Sequence, residues 1–241
     1  MPKPQLHLSG DPKADKLISS NPFALLVGMV LDQQIPLEWA FTAPVLLADR
    51  MGVPLDARAI AGMDPDELAS LFRQRPALHR FPGSMAGRAQ QVAQIIVAEY
   101  GGKADDIWKT AKSGEELLAR VEKLPGFGKQ KAKIFVALLG KQLGAQPPGW
   151  QEASAPFGTE GSRLSIADID SAETLALVRE HKREMKAAAK AKSPAKKAKA
   201  PAAAKKKPAA AAKKKPAAST KKTAAASTKK TAKRKAASAA K

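Results

Sequence analysis

The chain has 241 residues, with 42 Lys+Arg against 22 Asp+Glu, a formal net charge of +20, and no cysteine. The missing thiols exclude a disulfide framework, a thiolate-held iron–sulfur cluster, a Cys nucleophile and any Cys-containing zinc site. The longest apolar run, Phe23 to Leu31, meets Asp32 after nine residues and is too short to cross a bilayer, and Met1-Pro2-Lys3-Pro4 carries no signal-peptide core, so a soluble, cytoplasmic protein is expected.

The charge is divided unevenly. Lys186 to Lys241 holds 20 of the 42 basic residues and no acid, with 24 Ala and four each of Pro, Ser and Thr, whereas residues 1–185 balance 22 basic against 22 acidic side chains. A neutral body is long enough to bury a core, and a tail whose largest apolar residue is Ala cannot offset its ordering entropy. The expected organisation is a helical domain over 1–186 and a disordered Lys/Ala/Pro-rich tail over 187–241.

In chain order, Asn21-Pro22 reads as an N-cap and first helical residue ahead of Phe23 to Leu31, whose all-round apolarity predicts a buried central helix. Asp64-Pro65-Asp66-Glu67 opens a second helix carrying Leu68, Leu71 and Phe72. Met85, Ala89, Val92 and Ile96 stripe a third, which stops at Gly101-Gly102. Ser113 with Glu116 forms a capping box before Leu117, Val121 and Leu124, and Ala132, Phe135, Val136 and Leu139 stripe a helix beginning just after Gly128. Gly144 to Gly161, with three prolines and four glycines, reads as a long loop. Asp170 with Glu173 offers a last capping box for a helix running towards Lys186. No strand pattern recurs, so the fold class is all-α.

The most specific segment is Leu124-Pro125-Gly126-Phe127-Gly128-Lys129-Gln130-Lys131-Ala132-Lys133, a glycine hairpin between two helices over about 114–143. Glycines there permit backbone conformations and close approach that a Cβ would obstruct, and the amides opening the second helix offer donors and a positive dipole to a phosphate. Lys129 and Lys133 lie one turn apart beside it. The segment resembles a helix-hairpin-helix motif, which grips the DNA backbone rather than reading sequence.

The order of an early buried helix ending in Leu31-Asp32-Gln33-Gln34, a basic residue in Gly87-Arg88-Ala89, and then the hairpin resembles the HhH-GPD superfamily of base-excision DNA glycosylases across residues 11 to 145. Asp32-Gln33-Gln34 is similar to the alkylated-base branch. The resemblance implies a two-lobed helical domain whose cleft receives a base flipped out of double-stranded DNA. It also implies an aspartate that stabilises the cationic sugar formed as the glycosidic bond breaks. Members with lyase activity use a lysine at the position matched here by Gln130, which cannot form a Schiff base, so a monofunctional enzyme is expected.

The family's aspartate is expected about twenty residues beyond the second hairpin glycine, where this chain reads Pro147-Pro148-Gly149-Trp150-Gln151-Glu152 and has none. Three carboxylates are open replacements: Glu152 by sequence proximity, Asp170 because it opens a helix after the long loop, and Asp32 because it adjoins the glutamines. Their ordinary readings are a loop acid, an N-cap and a helix-end polar residue. The DNA contacts implied are Gly126, Phe127, Gly128, Lys129, Lys131, Lys133 and Arg88, with Gln33 and Gln34 as a wedge into the gap left by the base. Trp39, Phe41 and Trp150 are candidates to stack on that base or to fill the core, Trp150 being the best placed. His7, His79 and His181 are too scattered for a metal triad. The resemblance adds at most a monovalent cation held by hairpin carbonyls, and no other cofactor.

The tail's evenly spread lysines without aromatics match phosphate neutralisation, which supplies affinity without reading bases. It resembles the tails of linker histones. Double-stranded DNA is thus the expected partner of hairpin and tail alike, with nucleoid association and no membrane; oligomeric state has no sequence signal. A non-catalytic, DNA-architectural protein is the alternative to the glycosylase.

Overall fold

The computed structural model describes residues 5–171, 173–180 and 183; the tail and the expected boundary at 186 lie outside the described residues. Ten numbered α-helices, a further helix over 173–180 and one 3-10 turn lie among the described residues, which hold no strand, in keeping with the all-α expectation. The helices are α1 (Pro12–Ser20), α2 (Pro22–Leu31), α3 (Leu37–Met51), α4 (Ala57–Gly62), α5 (Pro65–Arg73), α6 (Pro82–Tyr100), α7 (Asp106–Lys109), α8 (Gly114–Glu122), α9 (Lys129–Gln142) and α10 (Trp150–Ala153). The 3-10 turn spans Ile166–Asp168.

The cap signals act as their chemistry dictates. Asn21 Oδ1 accepts the N–H groups of Phe23 and Ala24, Asp64 those of Asp66 and Glu67, and each cap is followed by a proline that has no N–H to lose. Every residue of α2 from Phe23 to Leu31 is buried, because α1, α3 and α6 pack around it. Gly28 permits close packing against α3: a Cβ there would lie 2.6 Å from Phe41 Cδ1. One continuous apolar core runs from Leu6 to Val178, with α4, α5 and α6 forming one group and α8, α9 and α10 another.

Four expectations need correction. Helices α1, α3, α4 and α7 are present although no reading assigned them. At α8, Ser113 Oγ accepts the Glu116 N–H at 3.1 Å, but Glu116 turns to the Lys112 N–H and Arg120 rather than back to Ser113, so only half the capping box forms. The 144–161 segment is docked, not free: it contains α10, its Pro148 carbonyl accepts the Gly114 N–H at 2.8 Å, and the Trp150 ring fills the space left by Gly140. The helix over 173–180 is capped by Ser171, whose Oγ accepts the Thr174 N–H; Asp170 instead receives the Thr174 hydroxyl at 2.9 Å.

The 158–170 segment is fastened to α9 by Asp168. Its carboxylate accepts from Lys141 Nζ at 2.6 Å, Ser162 Oγ, and the N–H groups of Leu164 and Ser165. This network brings the 173–180 helix against the start of α3, a placement that creates a cavity described below.

Candidate nucleic-acid interface and base cavity

The hairpin is open to solvent. Gly128 and Lys129 are exposed, and α9 starts at Gly128 with no side chain capping its first amides, leaving those N–H groups for an external acceptor. Gly126 has φ +91°, a region that L side chains avoid, and its missing Cβ faces Arg88 Cδ at 3.5 Å and Gln33 Nε2 at 3.7 Å. Gly128 is different: its backbone is extended (φ −84°), and a Cβ there would meet nothing within 4 Å. Packing therefore gives no reason for glycine at 128, whereas clear approach to the amides does.

The α2–α3 turn beside the hairpin is held by a polar chain. Arg88 donates to Gln33 Oε1 at 2.9 Å, and Gln33 Nε2 donates to the Val30 carbonyl at 2.6 Å. Buried His79 accepts the Phe81 N–H at Nδ1, so its hydrogen sits on Nε2, which donates to the Gln33 carbonyl at 2.9 Å. Gln34, the next residue, is exposed at φ +60°, the one non-glycine residue with positive φ among the described residues. Gln33, Gln34, His79, Phe81, Ser84, Met85 and Arg88 enclose a shallow hollow of about 230 Å³. Phe81, 45% exposed on its rim with Arg80 stacked on its ring, was not picked out in the sequence because its meaning comes only from facing Gln34.

On the other side of the same turn lies a cavity of about 290 Å³. Asp32, Ile35, Pro36, Leu37 and Glu38 form one wall, and Ile169, Leu175, Val178, Arg179 and Arg183 the other. Lys131 reaches towards this turn from α9 and donates to the Met29 carbonyl at 2.7 Å. Burial pushes its ammonium down to about 8, opposed by the charge of Asp32 and assisted by that of Arg88.

The remaining expected site residues fall elsewhere. Phe127 is buried and stacks with Phe135 at 5.6 Å between centroids, so it anchors the hairpin to the core and leaves phosphate contact to its neighbours. Lys131 points inward and Lys133 Nζ donates to the Ala155 carbonyl, so of the three hairpin lysines only Lys129 is exposed and unengaged by any hydrogen bond among the described residues. Trp39 Nε1 donates to the Ala77 carbonyl, and Trp150 packs on Gly140, so both serve as packing side chains. Phe41 is fully buried.

Of the three carboxylates, Glu152 is exposed on α10 and lines neither the hollow nor the cavity at the turn. Asp170 lines a separate cavity of about 550 Å³ between α9 and the 158–170 segment. Asp32 alone of the three borders the cavity at the α2–α3 turn. Among the described residues no three His, Asp or Glu side chains converge on a point that would hold a metal. Within the hairpin the Leu124 carbonyl accepts the Phe127 N–H at 3.0 Å.

A helical body with uncapped amides at an exposed glycine bend has the form of a protein that binds the DNA backbone. Residues 27–233 match the family model of the HhH-GPD superfamily base excision DNA repair protein, and the chain belongs to that family. It is a base excision repair protein that binds DNA. No curated protein and no solved structure matches it.

Proposed function

We propose that the protein is a monofunctional DNA glycosylase that works on double-stranded DNA and that Asp32 is its catalytic carboxylate. The observation that carries this reading is the placement of Asp32: it borders a base-sized cavity one residue before Gln33, whose amide lies against the hairpin. The hairpin amides hold one phosphate strand, Gln34 and Phe81 enter the gap in the duplex, and the base turns into the cavity at a cost of a few kcal/mol in lost stacking. As the bond from C1′ to the base nitrogen breaks, positive charge grows on the sugar, and a fixed carboxylate in a partly water-excluded site stabilises it more than water would. Water then adds to C1′, and its proton leaves with the departing base or to solvent. Gln130 supplies no amine for strand cleavage.

Duplexes carrying single lesions, followed by alkali treatment to break abasic sites, test the assignment. Asp32→Asn is expected to reduce base release by roughly a hundredfold or more while leaving DNA affinity unchanged. Glu152→Gln and Asp170→Asn are expected to stay near the parent rate. An Asp32→Asn protein with full activity removes Asp32 from the mechanism. The absence of an acid between Pro147 and Gln151 favours the second reading, a non-catalytic architectural binder in the nucleoid. It prevails when the duplexes are bound and no base is released from any of them.

A further inference from the structure

Both nitrogens of buried His79 bind backbone groups. Nε2–H donates to the Gln33 carbonyl at 2.9 Å and Nδ1 accepts the Phe81 N–H at 2.9 Å, and among the described residues neither backbone group has another hydrogen-bond partner. The Gln33 carbonyl lies in the rigid peptide plane that leads into Gln34, and the Phe81 N–H in the one that leads into Phe81. A single ring thus sets the direction in which both residues leave the backbone. The two residues it sets are exposed and line one hollow. Gln34 is in the left-handed region at φ +60°, which a residue with a side chain keeps only where its surroundings determine it. Phe81 is the one exposed aromatic side chain among the described residues, its ring 6.0 Å from the imidazole between centroids.

We propose that His79 is a positioning residue that holds Gln34 and Phe81 as a paired wedge, an amide and an aromatic ring presented together to one gap in the base stack; the inference rests on the reading that these two side chains enter the duplex. An aromatic ring replaces the stacking that a departed base gave up, and an amide donates to or accepts from the edge of the base left unpaired. Both substitutes serve best when they arrive already oriented, since ordering two free side chains at the moment of insertion subtracts from binding. The neutral ring with its hydrogen on Nε2 holds both at once, donating on one side and accepting on the other. The two functions can be separated. His79→Asn keeps an acceptor two residues before Phe81, the spacing of an Asx turn, and loses the donor to Gln33. His79→Gln keeps a donor long enough for the Gln33 carbonyl and loses the acceptor for the Phe81 N–H.

The test uses a duplex with a tetrahydrofuran abasic-site analogue opposite 2-aminopurine, whose fluorescence reports how the gap is filled, read with the full chain at saturation. In the parent, Gln34→Ala and Phe81→Ala are each expected to reduce the fluorescence change. In the His79→Asn background, Gln34→Ala is expected to do roughly threefold to tenfold less than in the parent, the size of one lost hydrogen bond, while Phe81→Ala keeps its effect. His79→Gln is expected to show the reverse pattern. A general loss of stability would weaken both dependences alike. Circular dichroism and thermal melting verify that each variant is folded, and one folded His79 variant suffices. If neither folds, nitrogen NMR of the parent imidazole decides: a hydrogen on Nε2 alone at neutral pH is expected, and any other protonation overturns the proposal. Both dependences falling together, neither falling, or a parent signal indifferent to Gln34→Ala and Phe81→Ala also overturns it. The analogue has no base to release, so the readout is independent of catalysis. A protein that releases bases without the pattern loses only this inference, and one that shows the pattern but releases nothing loses only the glycosylase reading.

Discussion

Gly126 and Gly128 are two residues apart and are glycine for different reasons. At φ +91°, Gly126 is in a conformation that an L side chain reaches only with strain, so Gly126→Ala is expected to destabilise the fold by about 1 to 2 kcal/mol. Gly128 is in an ordinary extended conformation with open space around it, so Gly128→Ala is expected to change stability by no more than about 0.5 kcal/mol while weakening DNA binding, since the new methyl group takes up open space at the hairpin where a phosphate would approach. Urea unfolding and a DNA-binding titration on the same two proteins separate the roles; tight binding by a well-folded Gly128→Ala protein would remove the amides from the interface. Lys131 gives a second residue-scale expectation, in pH. Burial holds its ammonium at about 8, below the ordinary lysine range near 10.5. Between those values the unfolded chain keeps a proton that the folded chain has released, so this group's contribution to stability rises with pH across the window. Parent and Lys131→Gln unfolding free energies should diverge in favour of the parent by roughly 1 to 3 kcal/mol from pH 7 to pH 10. Parallel curves would mean that the ammonium is solvated.

At the scale of elements, α10 and the loop around it are held by close contact rather than by area, and Gly140 is the sensitive point. A Cβ at 140 would overlap the Trp150 ring, so Gly140→Ala should cost about 1 to 3 kcal/mol and shift Trp150 fluorescence as α10 lifts from α9. Gly87, in the interior of α6, is its counterpart: nothing lies within 4 Å of its added Cβ, so Gly87→Ala should stabilise the protein by about 0.5 to 1 kcal/mol. Equal melting temperatures for the two variants would contradict both assignments. The same contrast explains which elements could be read in the sequence. Helices α2 and α5 announce themselves through Asn21-Pro22 and Asp64-Pro65, whose capping is local chemistry. Asp11-Pro12 carries the same signal for α1 and would have found it. Helix α3 hides behind Pro44, which interrupts the apolar period and is tolerated because tertiary packing buries it. The hairpin was legible for the same local reason as the caps. The proposed choice of Asp32 over Glu152 and Asp170 was not, because its place beside a cavity depends on Ile169, Leu175 and Val178 folding back onto the α2–α3 turn. Phe81 lacked any sequence signal, since it matters through Gln34, a neighbour brought close only by the fold.

For the whole molecule the governing fact is that charge and shape are divided. Residues 1–185 sum to zero formal charge and contain the hairpin, the turn and both hollows, while the rest of the chain carries the entire net positive charge. Counterion release ties affinity to salt at about 0.9 log units per phosphate contact, so roughly five engaged tail lysines would lower affinity about a hundredfold for a threefold rise in salt. A protein ending at residue 186 should therefore bind duplex DNA more weakly, with a salt slope shallower by about four to five units. The same truncation should leave the ratio of affinities for lesion-bearing and intact duplexes unchanged, because phosphate neutralisation carries no information about the base. Measuring both quantities over a salt series assigns the work between the two parts. A slope that does not change on truncation would leave the tail without a role on DNA, and a ratio that falls would mean that the tail shapes recognition at the α2–α3 turn as well as adding affinity.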